Sequence, residues 1–312
     1  MTKIQLPATK TERGGRHEIS GSQMMCGLLT LCERSTVVRR PHFQVEAGEA
    51  RFLISRRMYR QLGPDELAVW KAVAEPRTLQ LLRHELGERA DQTVQSLWDA
   101  QMIETVEAEL DHDRRRVLVI EPHADDAALS VGGLLWDRRH ECHFTIATIA
   151  SRSNFTSYYY SSQAYFNTEV VTDLRRKESE LFARLVGGVH IDVGLNDAPL
   201  RYRDVNWSRE DFARHRAAIA AATSRLATPE EAELWRLKVH ELLASTDSEE
   251  LWMPLGGPHA DHRIASAVLL DILSRHPELR QGRRVFLYLE VPYAARFPAY
   301  SEDALRHLND AG

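Results

Sequence analysis

The chain has 312 residues, 43% hydrophobic and 27% charged, which excludes disorder as its dominant state and suits about two domains. Its formal charge is -5, from 40 basic and 45 acidic residues, whereas proteins that live on nucleic acid usually carry a basic excess. Three cysteines (Cys26, Cys32, Cys142) are too few for a disulfide framework, and no run approaches the ~18 apolar residues that cross a bilayer.

Met24–Cys32 is a short apolar patch without a cleavage pattern after it, so it makes a poor signal peptide. The expectation is a soluble, cytoplasmic protein with no membrane span. Residues 1–40 read as a polar N-terminal tail. From Phe43, two alternating runs around Glu46–Gly48–Glu49 predict a hairpin. Helical spacing then predicts helices over Asp65–Glu75, Thr78–Leu86 and Ala90–Met102, followed by a strand over Ile103–Glu107. This is the pattern of a small winged-helix-like α+β domain, placed at residues 41–112.

Winged helices often bind DNA, and the charges argue against it here. Residues 46–109 hold eight basic and twelve acidic side chains, a net of 8 − 12 = −4. The third helix has no basic residue after Arg89, and phosphate contacts need Lys or Arg.

The charged run Asp111–Arg116 reads as a linker, and residues 113–312 as a second domain. There the rhythm becomes strand–helix alternation. Strands are expected at Val117–Ile120, His143–Ala150, Val189–Val193, Leu251–Pro254 and Val285–Val291. Helices are expected at Ala127–Asp137, Glu169–Val186, Glu210–Leu226, Glu230–Leu243 and Asp261–Ser274. Such alternation predicts an α/β domain with a mostly parallel sheet covered by helices.

Two segments carry chemistry. The apolar run Val117–Ile120 is followed at once by His123, Asp125 and Asp126. The run Leu251–Pro254 is followed by a Gly/Pro loop and then His259, Asp261 and His262. In open α/β sheets, ligands bind outside the carboxyl ends of strands, so both clusters fall where chemistry is expected. Adjacent aspartates repel unless a cation or donor compensates. His123, Asp126 and His262 then supply three ligands, the number typical of a hydrolytic zinc site with one open position. Asp125 remains as a base for water. His259, paired with Asp261, remains as an acid that also steadies an oxyanion.

Pro122-His-Ala-Asp-Asp126 together with Pro258-His-Ala-Asp-His262 resembles the LmbE-like (PIG-L) family of zinc-dependent deacetylases, over about residues 115–295. The resemblance implies a Rossmann-like fold and hydrolysis of an N-acetyl or other N-acyl group on an amino sugar or natural-product intermediate. It implies metal ligation by His123, Asp126 and His262, with Zn2+ or another divalent ion such as Fe2+. It also implies Asp125 as general base and His259, oriented by Asp261, as the imidazole that stabilises the tetrahedral intermediate. The family's Arg-x-x-Glu helix matches Arg175-Arg-Lys-Glu178, and its substrate-binding aspartate matches Asp197. Ala124 and Ala127 depart from the family pattern without removing a ligand, and the rim Ser151–Tyr160 is unlike that of better-known members.

Residues 41–108 are similar in pattern to the small PqqD-like modules that bind peptides along a strand edge. That likeness implies a peptide or partner protein at the N-terminal domain, and an alternative function as a peptide-directed amide hydrolase or adaptor. A homo-oligomer is compatible with either reading.

Overall fold

In the computed structural model, the residues described are 35–53, 57–106, 113–155, 167–202, 227–291, 293–296, 298–299, 302 and 305–306. The expected helix Glu210–Leu226 and the tyrosines of the Ser151–Tyr160 rim lie outside them.

Four short strands open the described chain: β1 (Thr36–Arg39), β2 (Phe43–Glu46), β3 (Glu49–Phe52) and β4 (Met58–Gln61). The Ala47–Gly48 turn reverses β2 onto β3, with both residues at positive φ. β4 extends that hairpin to a three-stranded antiparallel sheet. Helices α1 (Pro64–Ala72), α2 (Leu79–Leu86) and α3 (Ala90–Asp99) follow, with the two-residue strand β5 (Arg77–Thr78) before α2 and β6 (Ile103–Val106) after α3. β1 lies between β5 and β6. It falls inside the segment read as a polar tail. Only two apolar residues, Val37 and Val38, mark it in the sequence, and both are buried.

The larger sheet is parallel throughout. Its strands are β7 (Arg115–Glu121), β8 (Cys142–Thr148), β9 (Val189–Asp192), β10 (Glu250–Pro254) and β11 (Arg284–Tyr288). β7 starts at Arg115, so the last two residues of the expected linker belong to the sheet. Its apolar run is buried on both faces, as a central parallel strand requires.

Helices α4 (Asp126–Asp137) and α5 (Thr168–Leu185) pack on one face with Phe144, Ile146 and Trp252. Gly132 of α4 faces Phe182 of α5. A short helix α6 (Ala198–Tyr202) precedes α7 (Pro229–Ser245). α7 begins with a capping box in which Thr228 and Glu231 satisfy each other's backbone N–H. With α8 (Ala260–Arg275), α7 covers the other face, where Trp235, Val239, Ile264 and Leu269 meet Leu118, Ile120, Leu251 and Met253. All the described residues belong to one compact unit, Leu31–Gly312, and within it the small sheet region touches α5 through Leu53 against Leu174 and His42 against Glu178 at 3.1 Å.

The strand order β11-β10-β7-β8-β9 positions the site. From β7 the chain winds outward to β8 and β9, then returns to place β10 on the other side of β7 and β11 beyond it. The junction of β7 and β10 is the topological switch point, where a crevice opens at the carboxyl ends of the strands. The two His/Asp segments follow these two strands.

Candidate metal centre

β7 delivers its chain end into a tight turn. The Asp126 carboxylate accepts the His123 backbone N–H at 2.8 Å and starts α4. Across the crevice, α8 begins at His259, whose Nδ1 caps the helix by accepting the Asp261 N–H at 3.2 Å. His262, one turn into α8, is fully buried.

Three acceptor atoms converge between these segments. His123 Nδ1 lies 3.3 Å from Asp126 Oδ2 and 3.1 Å from His262 Nε2, which is 3.4 Å from Asp126 Oδ2. Each imidazole has its other nitrogen on a carboxylate: His123 Nε2 on Asp261 Oδ2 at 2.9 Å, and His262 Nδ1 beside Glu290 Oε1 at 2.5 Å. Those carboxylates call for N–H on the far nitrogens, which turns the lone pairs of the near ones toward each other and toward Asp126.

The donor set suits a divalent ion. Nitrogen and oxygen ligands at about 2.0–2.1 Å around a tetrahedral Zn2+ stand roughly 3.3–3.4 Å apart, close to the separations of this triangle. The sets His123–His259–His262 and Asp126–His262–Glu290 also offer ligand atoms within 4.8 Å of one another.

The electrostatics point the same way. Burial opposes charge on the His123 ring, yet Asp126 and Asp261 raise its pKa well above the usual histidine value. Asp126 is held down to about 2 against its own burial, chiefly by the charge of His262 and then by His123. Positive charge is therefore favoured at the point where the three atoms meet.

Asp261 corrects one sequence expectation. Its carboxylate does not orient His259, whose Nδ1 is 3.9 Å away and already engaged by the Asp261 N–H. Instead it accepts His123 Nε2–H, the Ala198 N–H at 2.9 Å and the Arg201 guanidinium. With three donors this fully buried acid stays ionised, well below the usual carboxylate range despite its desolvation. His259 is drawn down to about 3 by burial and then by the neighbouring His123 charge, so it is neutral near pH 7 with its proton on Nε2.

A cavity of about 290 Å³ opens onto this cluster. Asp125 and Arg175 both line it and pair at 3.1 Å. Asp125 is 60% exposed, whereas Arg175 is largely buried and also donates to the Phe155 carbonyl at 3.3 Å. Asp197 lines the same cavity, with its carboxylate engaged by the Ser153 hydroxyl and the Leu200 N–H and its pKa raised by burial. Leu129, Phe155, Pro199 and Tyr293 add apolar lining. The eight residues singled out in the sequence therefore stand around one cavity or directly beneath it.

Sequence reasoning missed two residues here. Glu290 follows β11 and is 2% exposed, and its signal was an acid flanked by Leu289 and Val291 at the end of a third apolar strand. Arg201, in Ala-Pro-Leu-Arg201, carried no signal.

No protein-family model matches the chain. It is 28% identical over 204 residues to the 2'-N-acetylparomamine deacetylase of Streptomyces fradiae, covering 64% of this chain and 64% of that protein, so it spans less than two thirds of that relative. Among solved structures, it is similar to a deacetylase of the teicoplanin biosynthesis pathway at 19% identity, covering 57% of this chain and 68% of the other, with a TM-score of 0.42. It is also similar to the N,N'-diacetylchitobiose deacetylase of Pyrococcus horikoshii at 19% identity, covering 62% and 69%, with a TM-score of 0.37. Each of these relatives is a deacetylase. Among the described residues, no helix is long and apolar enough to cross a membrane.

Proposed function

We propose that the chain is a metal-dependent N-deacetylase that removes an N-acetyl or other N-acyl group from an amino sugar or natural-product intermediate. The observation that carries this reading is the convergence of His123 Nδ1, Asp126 Oδ2 and His262 Nε2 within 3.1–3.4 Å, beside a cavity that Asp125 and His259 also line. The likeness to the Streptomyces fradiae deacetylase supports the choice of reaction.

His123, Asp126 and His262 hold the ion, which is Zn2+ in this reading, although Fe2+ suits the same donors. When bound, it supplies Lewis-acid polarisation of the scissile carbonyl and of a water. Asp125, a carboxylate in the cavity, takes the proton from the attacking water and returns it to the amine nitrogen as the C–N bond breaks. Arg175 fixes that carboxylate through their ion pair. His259, neutral and with its Nδ1 accepting the Asp261 N–H, donates its one N–H, on Nε2, to the developing oxyanion. Asp197 and Arg175 orient the polar part of the substrate from the cavity wall. The small module (41–112) precedes the catalytic domain (113–312) in this reading, and the cytoplasm suits the buried free thiol of Cys142.

The test is acetate release from N-acetylated amino sugars by metal-loaded wild type, Asp125→Ala and His262→Ala. Release by wild type and its loss in both variants is expected. Equal turnover in all three proteins would exclude this site.

A further inference from the structure

We infer that Arg201 is a positioning residue for the metal centre, acting through Asp261 on His123. The inference rests on the metal-hydrolase reading and adds to it a residue with no direct contact to the ion.

Three observations carry it. First, Arg201 is nearly buried, with a side-chain exposure of 10%, and its guanidinium is used on three sides: the Asp261 carboxylate, the Glu231 carboxylate at 3.1 Å and the Asn196 carbonyl at 2.8 Å. A cation taken this far from water is costly unless its partners are fixed, and these partners sit on α8, on the first turn of α7 and in the loop before α6. Second, Asp261 divides its two oxygens. Oδ1 takes Arg201, while Oδ2 takes His123 Nε2 and the Ala198 N–H. The carboxylate plane is thereby set by groups on both sides, and the imidazole follows it. Third, Arg201 and Ala198 belong to the same short helix α6, which starts directly after Asp197. One five-residue element thus borders the cavity through Pro199 and braces the back of a ligand through Arg201.

Without the guanidinium, Oδ1 of a fully buried carboxylate loses its charged partner. Asp261 is then free to rotate. Rotation weakens its hold on His123 Nε2–H and loosens the direction of the Nδ1 lone pair. Outer partners of this kind are worth about 10–100-fold in metal affinity.

The experiment measures Zn2+ affinity by competition with a chromophoric chelator for wild type, Arg201→Met and Arg201→Lys, and records the visible spectrum of each protein loaded with Co2+. About a tenfold or greater loss of affinity is expected in Arg201→Met, with an altered Co2+ spectrum, and partial recovery in Arg201→Lys, which returns the charge. Wild-type affinity and an unchanged spectrum in Arg201→Met would overturn the inference. Should Arg201→Met fail to fold, Arg201→Gln takes its place with the same two readings. Failure of the wild type itself to bind Zn2+ or Co2+ would overturn the underlying metal reading instead, so the two failures are distinct.

Discussion

Glu290 stands 2.5 Å from Nδ1 of His262, and both side chains are cut off from solvent. Neither Glu290 oxygen finds a well-directed hydrogen-bond donor among the described residues, and burial raises the pKa of this carboxyl. Its contact with His262 is what offsets that burial. Glu290→Gln keeps the shape and removes the charge that holds the imidazole tautomer. Zn2+ affinity measured by chelator competition is expected to fall about 10–100-fold. Wild-type affinity in this variant would deny Glu290 its orienting role.

Asp125 and His259 line the cavity without belonging to the convergent triangle. Asp125→Asn is expected to lower kcat by about 10²–10⁴-fold, the usual range for a general acid or base, and His259→Ala by about 10²–10³-fold, the range for loss of one oxyanion donor. Both proteins should still bind one equivalent of metal. Loss of metal along with activity would place these residues among the ligands.

How much of this was legible in the sequence depended on the kind of signal. The two His/Asp segments were readable because each follows an apolar run, and the strand order then brought those runs side by side at the switch point. The partner of Asp261 was not readable. Spacing suggested His259, two residues away, but the helix start turns that imidazole to its own backbone cap and leaves the carboxylate to His123, 138 residues earlier in the chain. Glu290 and Arg201 reach the site only through tertiary packing, and no local pattern announces such contacts. β1 was missed because two valines in a polar stretch make a weak strand signal, and pairing on both sides stabilises it.

Glu121 offers a pH test at the carboxyl end of β7. It ends β7 and is buried, accepting the Ala127 N–H at 2.8 Å and meeting the Thr148 hydroxyl at 2.5 Å. Thr148 in turn meets His190 Nε2 at 2.9 Å, and burial draws the His190 pKa down. Burial pushes Glu121 up to about 8. The folded state therefore holds a proton that the unfolded chain releases near its usual value of ~4.3. The resulting stability is full below that value and is lost as pH rises through about 8. Glu121→Gln mimics the neutral acid, so it should gain on wild type as pH rises across this window, by up to a few kcal/mol at about 1.4 kcal/mol per unit. Parallel denaturation curves for the two proteins at every pH would contradict this.

Gly188 joins α5 to β9 where the chain crosses β8 at close range. A Cβ there would stand 2.1 Å from the Phe144 carbonyl oxygen, and that oxygen is backbone. Gly188→Ala must push two paired strands apart and is expected to cost about 1–3 kcal/mol or more in urea denaturation. An unchanged midpoint would show that the strands can yield there.

In the proposed metal centre, three side chains from two adjacent strand ends hold one divalent ion. Calorimetric titration of metal-stripped protein with Zn2+ tests it most directly. One ion per chain is expected in wild type, and no stoichiometric binding in Asp126→Ala or His262→Ala. A wild type that takes up no ion, or variants that bind it equally well, would contradict the account.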